Sequence, residues 1–204
     1  MTPPEAPADA SGGPSPETTP ILDSVGFDEV YRAWVKEIAG IVGADGAGAG
    51  GELGQDRWAL VGIHRRGAVL ARRLHKELAT ADRPLLYGEV DISLYRDDYH
   101  LQRSQTRVHG TEISFAVDGV RILLVDDVLY TGRTVRAAMG LILDYGRPRV
   151  IQLAVFADRG HRELPIEANC VGRTVPTQRD DRVLVRLKEM EGEDRVDLAR
   201  GAKG

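Results

Sequence analysis

The sequence predicts an α/β protein whose central, mostly parallel sheet is flanked by helices. Two observations point there. Short apolar runs of buried-strand type occupy residues 58–64, 120–128 and 150–156, and helical periodicity fills the stretches between them. Strands that alternate with helices pair in parallel and are covered on both faces. With 204 residues the chain is long enough for one domain with a substantial core.

Taken in order, residues 1–20 are mostly Pro, Ala, Ser, Gly and Thr; they have little to bury and are expected to stay disordered, leaving 21–204 as the single domain. Phe27, Val30, Tyr31, Trp34, Ile38, Ile41 and Val42 recur at helical spacing, with Asp28 and Glu29 expected in the first turn. In the segment 43–55, Gly46, Gly48 and Gly51 satisfy G-x-G-x-x-G. A dinucleotide fingerprint follows a strand and opens a helix, whereas this one follows a helix and precedes a strand, so it reads as a flexible loop. The run 58–64 is a strand, Arg65-Arg66-Gly67 a turn, and Val69, Leu70, Leu74 and Leu78 mark the next helix.

Leu86, Gly88, Val90, Ile92 and Leu94 alternate with polar or amphipathic residues, which predicts a strand with one dry face. The polar stretch 96–110 is long for a connection and reads as a mobile functional loop. After the strand 120–128, Val135, Ala138, Met139, Ile142 and Leu143 form one face of a helix that stops at Gly146, with Pro148 beyond. No internal repeat is present.

The composition excludes several classes. Net charge is −4 and the sequence pI about 5.8, unlike a wholly basic nucleic-acid binder, so any such contact needs a local basic face. The lone Cys170 excludes an intramolecular disulfide and reads as a small core side chain. There is no signal-peptide pattern and no run near the ~20 apolar residues of a membrane span; a soluble, cytoplasmic protein is expected. His64, His75, His100, His109 and His161 show no zinc-ligand spacing, and no P-loop motif occurs.

The chemistry concentrates in VDDVLYTGRT, residues 125–134. Asp126 and Asp127 stand near the carboxyl end of a predicted strand, where open α/β sheets bind ligands. Neighbours on a strand point to opposite faces, so both line one pocket only if the strand is ending there. Thr131, Gly132, Arg133 and Thr134 open the next helix, whose unpaired N–H groups and positive dipole end attract an anion. Carboxylates repel phosphate but accept from hydroxyls. A ligand with hydroxyls at one end and a phosphate at the other, a sugar phosphate, satisfies both.

The stretch VRILLVDDVLYTGRTVRAAM resembles the PRPP-binding motif of type I phosphoribosyltransferases. Its VLYTGRTVRA portion is similar to one branch, the bifunctional pyrimidine-operon regulators with uracil phosphoribosyltransferase activity. LVGIHRRGAVLARRL resembles that family's first strand and pyrophosphate loop, GEVDISLYRDD its second strand, and IQLAVFADRGHRELPIEANCVGRTVPT its base-binding hood. The resemblance implies a type I phosphoribosyltransferase fold with a small hood (158–182) and a mobile active-site loop, and covers about residues 21–190.

It further implies the reaction of uracil with PRPP to give UMP and pyrophosphate, with Mg²⁺ as cofactor. Asp126 and Asp127 would hold the ribose hydroxyls, one of them assisting proton transfer. Val128, Leu129 and Tyr130 would lead into Thr131, Gly132, Arg133 and Thr134, the cradle of the 5-phosphate. Arg65, Arg66 and Gly67 would take the pyrophosphate in a loop that holds a non-proline cis peptide. Arg96 and the loop to Gly110 would close over the site, with Arg103 and Arg107 as further contacts. Val155, Asp158 and Arg159 would frame uracil.

The same resemblance implies binding of a pyrimidine-operon mRNA leader when UMP or UTP is bound, through His161, Arg162 and Arg173, and a homo-oligomer, dimer or higher. Two positions depart from the pattern: Glu167 places an acid on that surface, and the first helix reads RAWVKEIAGIV in place of a Thr-Arg…His arrangement. An acid facing phosphates opposes RNA binding. The residues alone leave open an RNA-binding nucleotide sensor without catalysis and a transferase for another base.

Overall fold

The computed structural model describes residues 18–43, 57–82, 84–93 and 110–201. Most of the expected tail, all but Gly43 of the glycine-rich segment, and all but Gly110 of the long polar loop, with Arg96, Arg103 and Arg107, lie outside them. The first strand, β1 (Thr18–Leu22), begins inside the stretch expected to stay disordered. Helix α1 (Ser24–Gly43) follows. Its start is earlier than the apolar periodicity suggests, because the Asp23 carboxylate accepts the Gly26 N–H at 2.8 Å and caps it. Asp28 and Glu29 therefore fall beyond the first turn.

Next come β2 (Trp58–Ile63), α2 (Arg66–Leu78), β3 (Leu86–Val90), β4 (Glu112–Ile113) and β5 (Arg121–Leu129). They are followed by α3 (Arg133–Asp144), β6 (Val150–Asp158) and β7 (Cys170–Thr174). These strands form one sheet in the order β4-β3-β2-β5-β6-β7. All its pairings are parallel except the edge pair β3 with β4, which bears out the predicted class.

Both faces of this sheet are dry. Trp58, Leu60, Leu123, Val125 and Phe156 pack with Phe27, Trp34 and Ile38 of α1 and Leu70 and Leu74 of α2. Ala59, Val61, Ile122, Leu124 and Val155 pack with Val135, Ala138 and Ile142 of α3. Successive residues thus serve opposite cores, as the strand period requires. The sheet comes so close to α1 that a Cβ on Gly172 would stand 2.7 Å from Phe156 O and 3.4 Å from Val30. Cys170 is buried as expected, and burial pushes its thiol pKa up.

Two features depart from expectation. The strand read as having one dry face buries its polar side too: Glu89 and Asp91 are 6% and 8% exposed. The chain also ends in a second, antiparallel sheet, order β1-β9-β8, from β8 (Arg182–Arg186) and β9 (Arg195–Ala199). The short helix α4 (Lys188–Glu191) joins these two strands. Val183, Val185, Val196 and Leu198 fuse this sheet to the core under α1 and α2. No helix among the described residues is long and apolar enough to cross a membrane.

Candidate functional site

Three segments, two of them consecutive in the chain, lie at the carboxyl edge of the parallel sheet. The first is the turn after β2. The His64–Arg65 peptide is cis, Arg65 is the N-cap of α2 with no side-chain capping bond, and Gly67 lies against β5. A Cβ on Gly67 would stand 2.5 Å from Val125 O, 3.0 Å from Asp126 Cα and 3.2 Å from an Asp126 carboxylate oxygen. Real side chains do not tolerate such distances from backbone, so glycine here is what lets the arginine turn close on Val125 and Asp126.

The second segment is β5 itself. The strand does not end at the acids; it pairs on through Val128 with Ala157 and Leu129 with Asp158. The two carboxyl groups approach because Asp126 folds back, its Oδ1 accepting the Asp127 N–H at 2.9 Å. Asp126 is 6% exposed. Burial pushes the Asp127 carboxyl pKa above the usual carboxylate range, opposed by its hydrogen bond with Asp126 and by the Arg66 charge. Arg66 therefore acts electrostatically on Asp127 across the shared edge.

The third is the start of α3. Gly132 is its N-cap at φ 89° and offers no side-chain cap of its own. Thr131 Oγ1 accepts the Arg133 N–H at 3.3 Å. The hood folds onto this loop: Glu163 and Leu164 donate their N–H groups to Thr131 O at 3.0 and 3.1 Å, and Glu163 accepts from Arg133 at 2.7 Å. Leu164 and Ile166 side chains crowd Gly132 at 3.3–3.4 Å from where a Cβ would sit. Thr134 is half-buried in the first turn.

Other expected site residues are committed differently. Val155 is wholly buried in the core, opposite Asp126 in the sheet, so its side chain faces no ligand. Arg159 is 6% exposed, lies 3.8 Å over the Tyr130 ring and donates to Gln178 O at 2.8 Å and Arg179 O at 3.0 Å; it straps the 177–179 loop to β6. Arg162 donates to Tyr130 O at 3.0 Å, Ile166 O at 2.9 Å and Asp158 at 2.5 Å, so its guanidinium braces the hood from within. His161 and Arg173 are exposed, His161 with a ring nitrogen 2.8 Å from Thr177 O.

The sequence reading missed two groups. Glu89 accepts from Arg72 and Tyr87 and lies 2.8 Å from His64. Burial alone would raise its pKa, yet these partners hold it below the usual range. A cleft of about 390 Å³ opens beside this cluster, lined by His64, Arg65, Arg72, Glu89, Glu112 and Met190. Arg66 pairs with Glu191 of α4, and Arg73 with Glu189 and Asp194. The acidic run KEMEGED, set against an arginine-rich α2, carried a faint signal of charge complementarity; its partner was not readable from spacing.

An acid pair, an arginine turn and an open helix start at one edge of a parallel sheet are accompanied by matches to known proteins. The phosphoribosyl transferase domain model matches residues 47–183. The bifunctional protein PyrR of Listeria monocytogenes serotype 4b is 54% identical over 147 residues, 69% of this chain and 79% of its own. That of Roseiflexus sp. strain RS-1 is 54% identical over 135 residues, 66% and 74% of the two chains.

Among solved structures, a hypoxanthine phosphoribosyltransferase from Trypanosoma cruzi superposes with TM-score 0.62 at 19% identity, covering 91% of this chain and 96% of that one. One from Staphylococcus aureus gives 0.60 at 18%, covering 87% and 90%. At such identity these two speak for the fold alone, and that fold is the type I phosphoribosyltransferase fold. Within that class, the chain belongs to the family of bifunctional PyrR proteins.

Proposed function

We propose that the chain transfers the phosphoribosyl group of PRPP to uracil, and that with a uridine nucleotide bound it recognises a pyrimidine-operon mRNA leader. The observation that carries the catalytic half is the close approach of Gly67 to Val125 and Asp126. It puts a pyrophosphate-type arginine loop within reach of the carboxylates that would hold the ribose.

In the reaction the bond from C1 to the pyrophosphate oxygen breaks, the bond from C1 to uracil N1 forms, and N1 gives up its proton. The sugar centre becomes oxocarbenium-like, so positioning and charge stabilisation do most of the catalysis. Asp126 and Asp127 accept from the ribose hydroxyls. Asp127, its pKa raised by burial, is the suited proton acceptor. Arg66 and the first N–H groups of α2 hold the pyrophosphate, with exposed Arg65 at the rim. The α3 start, residues 131–134, takes the 5-phosphate beside Tyr130, and the end of β6 at Asp158–Arg159 walls the base position.

The adjacent Asp126 and Asp127 carboxyl groups on β5 would suit a Mg²⁺ ion shared with PRPP oxygens and water. The ion would neutralise charge on the leaving pyrophosphate. For RNA, His161 and Arg173 offer the exposed surface, while Arg162 holds the hood in shape.

The test is UMP formation from uracil and PRPP with Mg²⁺. Turnover is expected; none above background with UMP binding intact would leave a nucleotide sensor, and preference for hypoxanthine would reassign the base. A gel shift with the leader RNA should tighten when UMP is added. No tightening removes the regulatory half.

A further inference from the structure

We infer that Glu191 is a positioning residue for the transfer reaction: from the C-terminal helix α4 it holds the Arg66 guanidinium in the orientation that receives pyrophosphate. This rests on Arg66 being the pyrophosphate ligand. One Glu191 oxygen accepts from Arg66, and the other accepts the Leu187 N–H at 2.9 Å. The Glu191 N–H donates back to Leu187 O at 2.8 Å. One carboxylate oxygen is thus fixed at the start of α4 and the other is committed to Arg66, with 18% of its side chain exposed against 38% for Arg66.

Helix α4 is in turn fixed to α2. Arg73 donates to Glu189 and, at 2.8 Å, to Asp194, and Asp194 accepts the Lys188 N–H at 2.8 Å. Arg66 stands between two sources of negative charge, with Glu191 bonded to it and the Asp126–Asp127 pair near enough for its charge to act on Asp127. A long, flexible arginine beside two carboxylates collapses onto them unless another partner holds it. There it would neutralise the acids needed by the ribose and be lost to pyrophosphate. Glu191 prevents this and fixes the side chain before substrate arrives, which is preorganisation. Arg66 Nε is buried without a hydrogen-bond partner among the described residues, so Glu191 leaves donor capacity unspent.

The experiment measures kcat, KM for PRPP and uracil, inhibition by pyrophosphate, and thermal stability of the full chain with E191Q, E191D, E189Q and R66A. E191Q should raise the PRPP KM and the pyrophosphate inhibition constant about tenfold and leave the uracil KM unchanged. E191D should restore part of the loss. E189Q, which loosens α4 through Arg73, should lower the melting temperature and leave the PRPP KM alone. Unchanged PRPP and pyrophosphate affinity in E191Q, or an equal loss in E189Q, overturns the inference. If E191Q does not fold, thermal protection by pyrophosphate is compared between wild type and E191D; equal protection overturns it. If R66A leaves both constants unchanged, the assignment of Arg66 itself falls; a loss in R66A with none in E191Q sinks only the role of Glu191.

Discussion

Two groups of buried carboxylates lie at the same edge of the sheet and are treated in opposite ways. Glu89, on β3, receives Arg72, Tyr87 and His64, and its pKa is held down. Asp127, on β5, is pushed up by burial, although a partner carboxyl and a nearby arginine oppose the shift. A buried charge surrounded by donors is a structural fixture, and breaking it is costly. A half-buried carboxyl left at a raised pKa keeps a proton affinity that a carboxylate surrounded by donors gives up. On the proposed mechanism, the difference separates the acid that supports the site from the acid that serves it.

The sharpest way to break this distinction is Asp127→Asn. The change keeps size and removes the charge, so kcat for UMP formation should fall by about 10²–10⁴-fold if Asp127 takes the N1 proton. The melting temperature at pH 7 should rise, because a poorly compensated buried charge is gone. Activity kinetics and a thermal melt on one sample check both. Unchanged kcat removes Asp127 from the site, and a large drop in stability would make it another structural acid like Glu89.

Glu89→Ala should do the reverse. It leaves Arg72 and His64 without their carboxylate in a half-buried cluster, and unfolding free energy should fall by ~2–4 kcal/mol. The surviving folded enzyme should keep most of its kcat. A urea titration measures the first and initial rates the second. If kcat falls as far as in Asp127→Asn, the cluster belongs to the reacting centre, and the adjoining cleft at His64 and Arg65 with it.

The difference between these acids was half legible in the sequence. Asp126 and Asp127 stood out because a strand end followed by T-G-R-T is a local pattern, and the parallel sheet followed from apolar runs that alternate with helices. Glu89 looked like the solvent-facing partner of an alternating strand, since period 2 says which residues share a face and not whether that face is covered. The roles of Arg159 and Arg162 were hidden for a related reason. An arginine in a loop has the same letter whether it faces a ligand or, as here, satisfies carbonyls of residues 4 to 32 positions away. The antiparallel end sheet and its acidic helix were missed because short strands joined by a charged turn carry little periodicity.

The smallest effect is the pH dependence of stability, where the two acids have opposite signs. Glu89 has a folded pKa below its unfolded value of about 4.3, so the folded state sheds its proton more readily. Its contribution is present above the unfolded pKa and disappears as pH falls through the folded one. Asp127 has a folded pKa above its unfolded value of about 3.9, so its contribution is present below that value and lost as pH rises through the folded pKa. The melting-temperature difference between Asp127→Asn and wild type should therefore be near zero in acid and grow more positive as pH rises to neutrality. For Glu89→Gln the difference should be near zero at the acid end and grow more negative over a lower pH window. Thermal melts from acid to neutral pH measure both curves. Two curves of the same sign would mean that Asp127 is compensated as fully as Glu89, and that the fold holds no acid in reserve for a substrate.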